Sequence, residues 1–185
     1  MKRLFLAIDI TPGNELTEAF DNVRHTLRME KINWVRKDQM HLTLSFLGDT
    51  EENIIPGLVT DIETVMNTHH SFRLTLAGLG IFRNIHDPRV LWTGCESEKE
   101  FQLIKTDTDK VLKALSFEVE DRPFSPHLTL GRIKSMRHLN HLNQLIGVYK
   151  DTVFQSENMR NVVLYESRLT TEGPEYNPVH KFILG

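Results

Sequence analysis

The tetrapeptide His-Leu-Thr-Leu occurs twice, at His41-Leu42-Thr43-Leu44 and at His127-Leu128-Thr129-Leu130. An imidazole, with an unperturbed pKa of about 6.5, can give or take a proton at neutral pH. Two of them, one in each half of a chain, suit a reaction in which one oxygen loses a proton while another gains one. Side chains alternate between the faces of a strand. His41, Thr43 and Ser45 are therefore expected on one face, with Leu42, Leu44 and Phe46 on the other. In the second copy His127 and Thr129 oppose Leu128 and Leu130. In-line displacement at phosphorus needs a general base beside the attacking oxygen and a general acid beside the leaving one, each within about 2.6–3.2 Å. Two lobes related by a pseudo-twofold axis would bring the histidines to the phosphorus from opposite sides. The Thr43 and Thr129 hydroxyls could then donate to the non-bridging oxygens. This chemistry requires neither metal nor cofactor, and no carboxylate-rich ligand cluster is evident near either motif. The motif by itself does not say which histidine is the acid. A single His-x-Thr strand is an ordinary polar face; the matched pair carries the reading.

The second copy continues as Gly131-Arg132. Strict alternation turns Arg132 away from the cleft, whereas a bulge at Gly131 would return it as a phosphate-binding residue. Trp34 and Phe46 are read as core packing ahead of base stacking. Among the other histidines, His69 and His70 sit at a helix end, where positive charge complements the dipole. His138 and His141 have helical spacing but lack carboxylate or cysteine partners, and so read as a solvated face. His25, His86 and His180 show no partner in the sequence.

These residues must be held by strands and helices that the periodicity delineates. Residues 4–10 read as a first strand, followed by a helix carrying Leu16, Ala19, Phe20, Val23 and Leu27 on one stripe. Extended segments follow at 32–35 and 40–47. A second helix is marked by Ile54, Leu58, Ile62, Val65 and Met66, with Pro56 in its first turn. Strands are expected at 72–76, ending at Gly78 and Gly80, and at 90–93. A charged helix spans 98–115. Arg122-Pro123-Phe124-Ser125-Pro126 forms a rigid approach to the second motif, because each proline biases its predecessor toward extended geometry. A helix at 136–146 and strands at 152–155, 161–167 and 179–184 complete the pattern. Strands mixed with helices, without regular parallel crossover units, indicate an α+β fold with antiparallel sheets. The repeat suggests two pseudo-symmetric lobes around a cleft, in one bilobal domain over 1–185.

Composition restricts the function class. The 185 residues are 39% hydrophobic and 25% charged, an ordinary globular balance. A formal net charge of −3 disfavours coating long nucleic acid through bulk electrostatics, but not a local anion site. No apolar run is long enough to span a membrane. The N-terminal Met1 to Ile10 meets Asp9 early and lacks a small-residue cleavage site, so it reads as a strand and not a signal peptide. Cys95 is the only cysteine, which excludes an internal disulfide, fits a cytoplasmic location and suggests a buried small hydrophobe.

Nearly end to end, the chain resembles the 2H phosphoesterases, specifically the bacterial and archaeal RNA 2′,3′-cyclic phosphodiesterases, also called 2′–5′ RNA ligases. The resemblance rests on both motifs with their flanks, His41 to Gly48 and Pro126 to Arg132. Residues 3–8, Trp34-Val35, Pro88 to Trp92, Leu164 to Ser167 and Gly173 to Tyr176 support it. It implies a bilobal α+β fold with a central cleft, helices on the outer faces, and metal-free hydrolysis of RNA 2′,3′-cyclic phosphate ends to 2′-phosphates. It further implies His41 as proton donor, His127 as proton acceptor, and reversible 2′–5′ ligation when a 5′-hydroxyl replaces water. The expected partner is such an RNA end or a small cyclic nucleotide, bound by a monomer. Three alternatives stay open. The chain could act on another phosphodiester, such as ADP-ribose cyclic phosphate or 2′–5′ oligoadenylate. It could be a non-catalytic RNA-end or nucleotide-binding module, or a metal hydrolase built on His41 and His127.

Overall fold

Leu4, Leu6 and Ile8 alternate with Phe5 and Ala7, and all five are buried, so strand β1 (Lys2–Asp9) has to lie inside a sheet. It is flanked by β3 (His41–Thr50) and β8 (Asn161–Thr170), with β9 (Gly173–Ile183) beyond, in the order β3-β1-β8-β9. The second sheet comprises β2 (Lys31–Trp34), β4 (Phe72–Asn84), β5 (Asp87–Cys95), β6 (His127–Ser135) and β7 (Val153–Met159), ordered β2-β6-β5-β4-β7. Every strand pairing is antiparallel. Four helices cover the sheets, α1 (Asn14–Thr26), α2 (Ile55–Met66), α3 (Glu98–Ala114) and α4 (Leu139–Tyr149). The fold is thus α+β with two antiparallel sheets, as expected. This computed structural model describes every residue except Arg122, Glu172 and the side chain of Glu98. Arg122, the first residue of the expected rigid approach to the second motif, therefore lies outside the described residues.

The lobes do not correspond to halves of the chain. β2 precedes the first motif strand in sequence but pairs with the second, Trp34 opposite Gly131. The closing strands β8 and β9 return to the sheet of β1. The helices cross over as well. α1 follows β1 yet packs on β7, and α3 follows β5 yet packs on β3, while α2 lies against β9 and α4 against β4. Each lobe is consequently built from both halves, and local periodicity cannot report that exchange.

The apolar stripes fall where the spacing placed them: Leu16, Phe20, Val23 and Leu27 on α1, Leu58, Ile62 and Met66 on α2, and Phe101, Ile104 and Leu112 on α3 are all buried. Several boundaries differ from the sequence reading, and two of them are informative. β4 does not stop at the glycines: Gly78, at φ +69°, sits in a bulge and the strand continues to Asn84. A β-carbon at Gly80 would meet the Trp92 ring at 2.3 Å, so that glycine makes room for the indole instead of ending the strand. α4 begins at Leu139 and not at 136, because β6 runs on to Ser135. The segment leading into it is held from a distant residue, with the Glu30 carboxylate accepting from the backbone amides of Arg137 at 2.6 Å and His138 at 3.0 Å. Among the described residues, no helix is long and apolar enough to cross a membrane.

Candidate active site

The two motif strands carry the same irregularity. In the pairing of β1 with β3, Asp9 faces His41 and Ala7 faces Thr43; the register then skips Leu44, so that Leu6 faces Ser45 and Phe5 faces Phe46. In the pairing of β5 with β6, Gly94 faces His127 and Trp92 faces Thr129; the register skips Leu130, so that Leu91 faces Gly131 and Val90 faces Arg132. A bulged residue reverses the alternation beyond it. The cleft face therefore carries His41, Thr43 and Phe46 on one strand, and His127, Thr129 and Arg132 on the other.

Two sequence expectations are corrected by this bulge. Ser45 was placed with His41 and Thr43, but it is buried and its hydroxyl donates to Asp109 Oδ1 at 3.1 Å. Phe46 was placed in the core, but it is 56% exposed and lines the cleft. Arg132 reaches the cleft by the bulge route, although the skipped residue is Leu130 and not Gly131. Glycine is not what permits the bulge, since Ser45 occupies the matching place in the first copy. Gly131 is needed for a close approach instead: a β-carbon there would meet Ile32 Cγ2 at 2.7 Å and the Trp34 ring at 3.2 Å. Trp34 itself packs edge-on against Phe20, with centroids 5.6 Å apart, which is its core role.

Both imidazoles are fixed in the same way. His41 Nδ1 lies 2.8 Å from the Gln39 carbonyl, and His127 Nδ1 lies 2.8 Å from the Ser125 carbonyl. A carbonyl only accepts, so each Nδ1 carries the proton and, in the neutral ring, each Nε2 is the accepting nitrogen. The ring of His41 is held between Phe5, at 5.2 Å, and the edge of Tyr176, at 5.1 Å. His127 meets Phe82 edge-on at 4.6 Å.

A family model described as LigT like phosphoesterase matches residues 8–92. The RNA 2′,3′-cyclic phosphodiesterase of Methanothermobacter thermautotrophicus is 30% identical over 184 residues, 98% of either chain. Its namesake in Methanocaldococcus jannaschii is 32% identical over 183 residues, covering 97% of this chain and 99% of its own. The chain belongs to the LigT-like phosphoesterase family. The crystal structure of TT0787 of Thermus thermophilus has the same fold, with a TM-score of 0.76 at 28% identity, covering 98% of this chain and 97% of that one.

In this LigT-like phosphoesterase the cleft opens into two cavities. One, of about 530 Å³, contains Thr43, Phe46, Phe82, His127, Thr129 and Arg132 and extends to α3. The other, of about 580 Å³, lies beyond His41 and is walled by Asp9, Lys37, Gln39, Tyr165 and Tyr176. Burial lowers the proton affinity of both histidines below the ordinary imidazole value. The carbonyl contacts oppose that effect, and the positive charge of Arg132 adds to it at both rings. For His41 the Asp9 carboxylate pulls upward and His127 pushes downward. His127 has no such acid across from it, because its partner on β5 is Gly94. The two matching strands are therefore electrostatically unequal.

Several residues of this site escaped the sequence reading. Asp9 accepts a 2.5 Å hydrogen bond from Tyr165 Oη, and burial first, then Asp9, pushes that phenol's pKa well up. Tyr165 stacks on Phe5, which lies under His41. Their contribution depends on β8 and β9 returning beside β1, and no local spacing announces it. The remaining histidines lie outside the cleft. His69 pairs with Asp107 at 3.3 Å, His138 with Glu30 at 2.7 Å and His180 with Glu63 at 3.6 Å. His138 and His141 stack on each other, and among the described residues no three His, Cys, Asp or Glu side chains gather to hold a metal ion. Cys95 is buried.

Proposed function

We propose that this chain hydrolyses RNA 2′,3′-cyclic phosphate ends to 2′-phosphates by paired imidazole catalysis without a metal. The observation that carries the reading is the matched pinning of both Nδ1 atoms, together with Thr43, His127, Thr129 and Arg132 lining one cavity and His41 close enough to feel the charges of His127 and Arg132. Water attacks phosphorus and gives its proton to His127 Nε2. The bond from phosphorus to the 3′-oxygen breaks, and His41 Nε2 delivers its proton to that oxygen. A 2′-phosphomonoester and a 3′-hydroxyl remain, and the histidines have exchanged protonation states. Thr43, Thr129 and Arg132 donate to the non-bridging oxygens, where negative charge accumulates. The role assignment follows the family resemblance and is supported by Asp9, whose charge favours a proton on His41 but has no equivalent beside His127. When a 5′-hydroxyl takes the place of water, the same groups form a 2′–5′ linkage, and the reverse step cleaves it. The full-length relatives named RNA 2′,3′-cyclic phosphodiesterase favour this substrate over the alternatives.

The test is turnover of a cyclic-phosphate-ended RNA in EDTA, with the product ends identified. Hydrolysis to a 2′-phosphate is expected, with rate losses of about 10²–10⁴ for His41→Ala and for His127→Ala at unchanged fold. A 3′-phosphate product would reverse the assigned leaving group. Loss of activity in chelator would favour the metal hydrolase, and binding without turnover would favour the non-catalytic module.

A further inference from the structure

β3 is an edge strand of its sheet, and the cavity that contains His127 passes along that edge to α3. At that far end sits a polar group that the hydrolytic mechanism does not use. Lys105 and Asp109, one turn apart on α3, form an ion pair, with side chains only 9% and 18% exposed. Ser45 donates to the second carboxylate oxygen. Leu112, Val119, Pro123, Phe124 and the Phe46 ring give the surrounding wall its apolar part, and Glu120 also lines it. Lys105 Nζ also lies 5.9 Å from the centroid of Phe124, which fixes that ring at the cavity wall.

An ion pair closed on itself in an apolar setting contributes little to stability, because desolvation offsets the attraction. This one retains unused capacity toward the cavity. A carboxylate offers about four lone-pair sites, and Ser45 and Lys105 occupy two of them. Among the described residues Lys105 has only Asp109 as a hydrogen-bond partner, leaving two of its three N–H groups. The result is a preorganised acceptor beside a preorganised donor, between aromatic faces, at the opposite end of the cavity from the phosphate-facing groups. About 530 Å³ also falls within the range of small-molecule sites.

We propose that the α3 end of this cavity receives the nucleobase of the substrate, and that Asp109, oriented by Lys105 and Ser45, accepts from an exocyclic amino group. Resting on the phosphodiesterase reading, this makes the site selective for adenine, cytosine or guanine over uracil. Each of those three bases carries an N–H₂ group next to a ring or carbonyl acceptor, matching Asp109 and Lys105 together. Uracil has no amino group; its N3–H is the donor it can offer there. That N–H lies between two carbonyl oxygens that meet the carboxylate with like partial charge, so the carboxylate is less well matched than by a free N–H₂ group. Phe46 and Phe124 supply stacking surfaces that tolerate any base, so discrimination falls to the polar pair.

The experiment compares kcat/KM of wild type and Asp109→Asn on the four nucleoside 2′,3′-cyclic monophosphates. Wild type is expected to disfavour the uridine substrate by about tenfold or more, since a site built to hydrogen-bond a group rejects the analogue lacking it. Asp109→Asn, whose amide can turn an N–H toward a carbonyl, should reduce the spread to about twofold. Equal wild-type turnover of all four substrates, or a uniform loss in Asp109→Asn, would show a structural clamp and overturn the proposal. If Asp109→Asn does not fold, the wild-type comparison still decides. If no substrate turns over, the phosphodiesterase reading fails, and equilibrium binding of adenosine 2′-phosphate against uridine 2′-phosphate still reads the base preference. Equal affinities would then overturn it.

Discussion

Replacing Arg132 by Gln tests the bulge and the electrostatics of the site together. The bulge at Leu130 turns Arg132 into the cleft beside His127 and Thr129, and its charge depresses the proton affinity of both histidines. Removing that charge has two consequences. The reacting phosphoryl group loses a charge-assisted donor, generally worth about 1.5–3 kcal/mol, or roughly 10–150-fold in kcat/KM. Arg132 is solvent-exposed, so screening places the expected loss toward the lower end, at about 10–30-fold. Both histidines also bind protons more readily, and the bell-shaped profile of kcat/KM moves as a whole to higher pH. Steady-state kinetics of Arg132→Gln from pH 4.5 to 8.5, with folding checked by circular dichroism, measures both effects. An arginine serving only as a surface ion pair would change neither quantity. An unchanged profile with kcat/KM within about twofold of wild type would refute its placement at the phosphate.

Four further outcomes follow from particular contacts. Both histidines lie below the ordinary imidazole value of 6.5, so the kcat/KM bell of wild type, centred on the mean of its two apparent pKa values, should centre below pH 6.5. Stability carries the same sign: unfolded histidines bind protons at pH values where the folded ones do not, so this contribution is present above pH 6.5 and lost as pH falls toward the folded pKa values. Urea midpoints measured across that window should show a shallower slope once both histidines are replaced by Asn. Gly131→Ala should cost about 1–3 kcal/mol in denaturant melts, because its methyl would press on Ile32 and Trp34. Glu30→Ala removes the acceptor for the two amides that lead into α4 and should cost about 1–2 kcal/mol in the same assay, because hydrogen bonds to a charged group are lost.

Each motif's histidine, threonine and intervening leucine were legible because they depend on alternation over three residues, which the bulge leaves intact. Beyond the fourth residue the reading failed, and Ser45 and Phe46 exchanged faces. A bulge is set by how two strands pair, and the partner strand is remote in sequence. The helical stripes were legible for the same local reason, since each helix must bury one face against some sheet. Which sheet it covers is a long-range choice, and α1 and α3 both cover the one their preceding strand does not belong to.

The sequence by itself determined the α+β class, two histidines in matching strand positions and the hydroxyl accompanying each, because side-chain chemistry and strand period are local properties. Tertiary structure alone decided that the two lobes exchange segments, that Arg132 and Phe46 face the cleft, and that Asp9 lies across from His41 while glycine lies across from His127. It also brought Lys105 and Asp109 to the wall of the same cavity. These outcomes depend on strand register and helix docking between residues far apart in the chain, where long-range packing and hydrogen bonding override what short-range spacing can express.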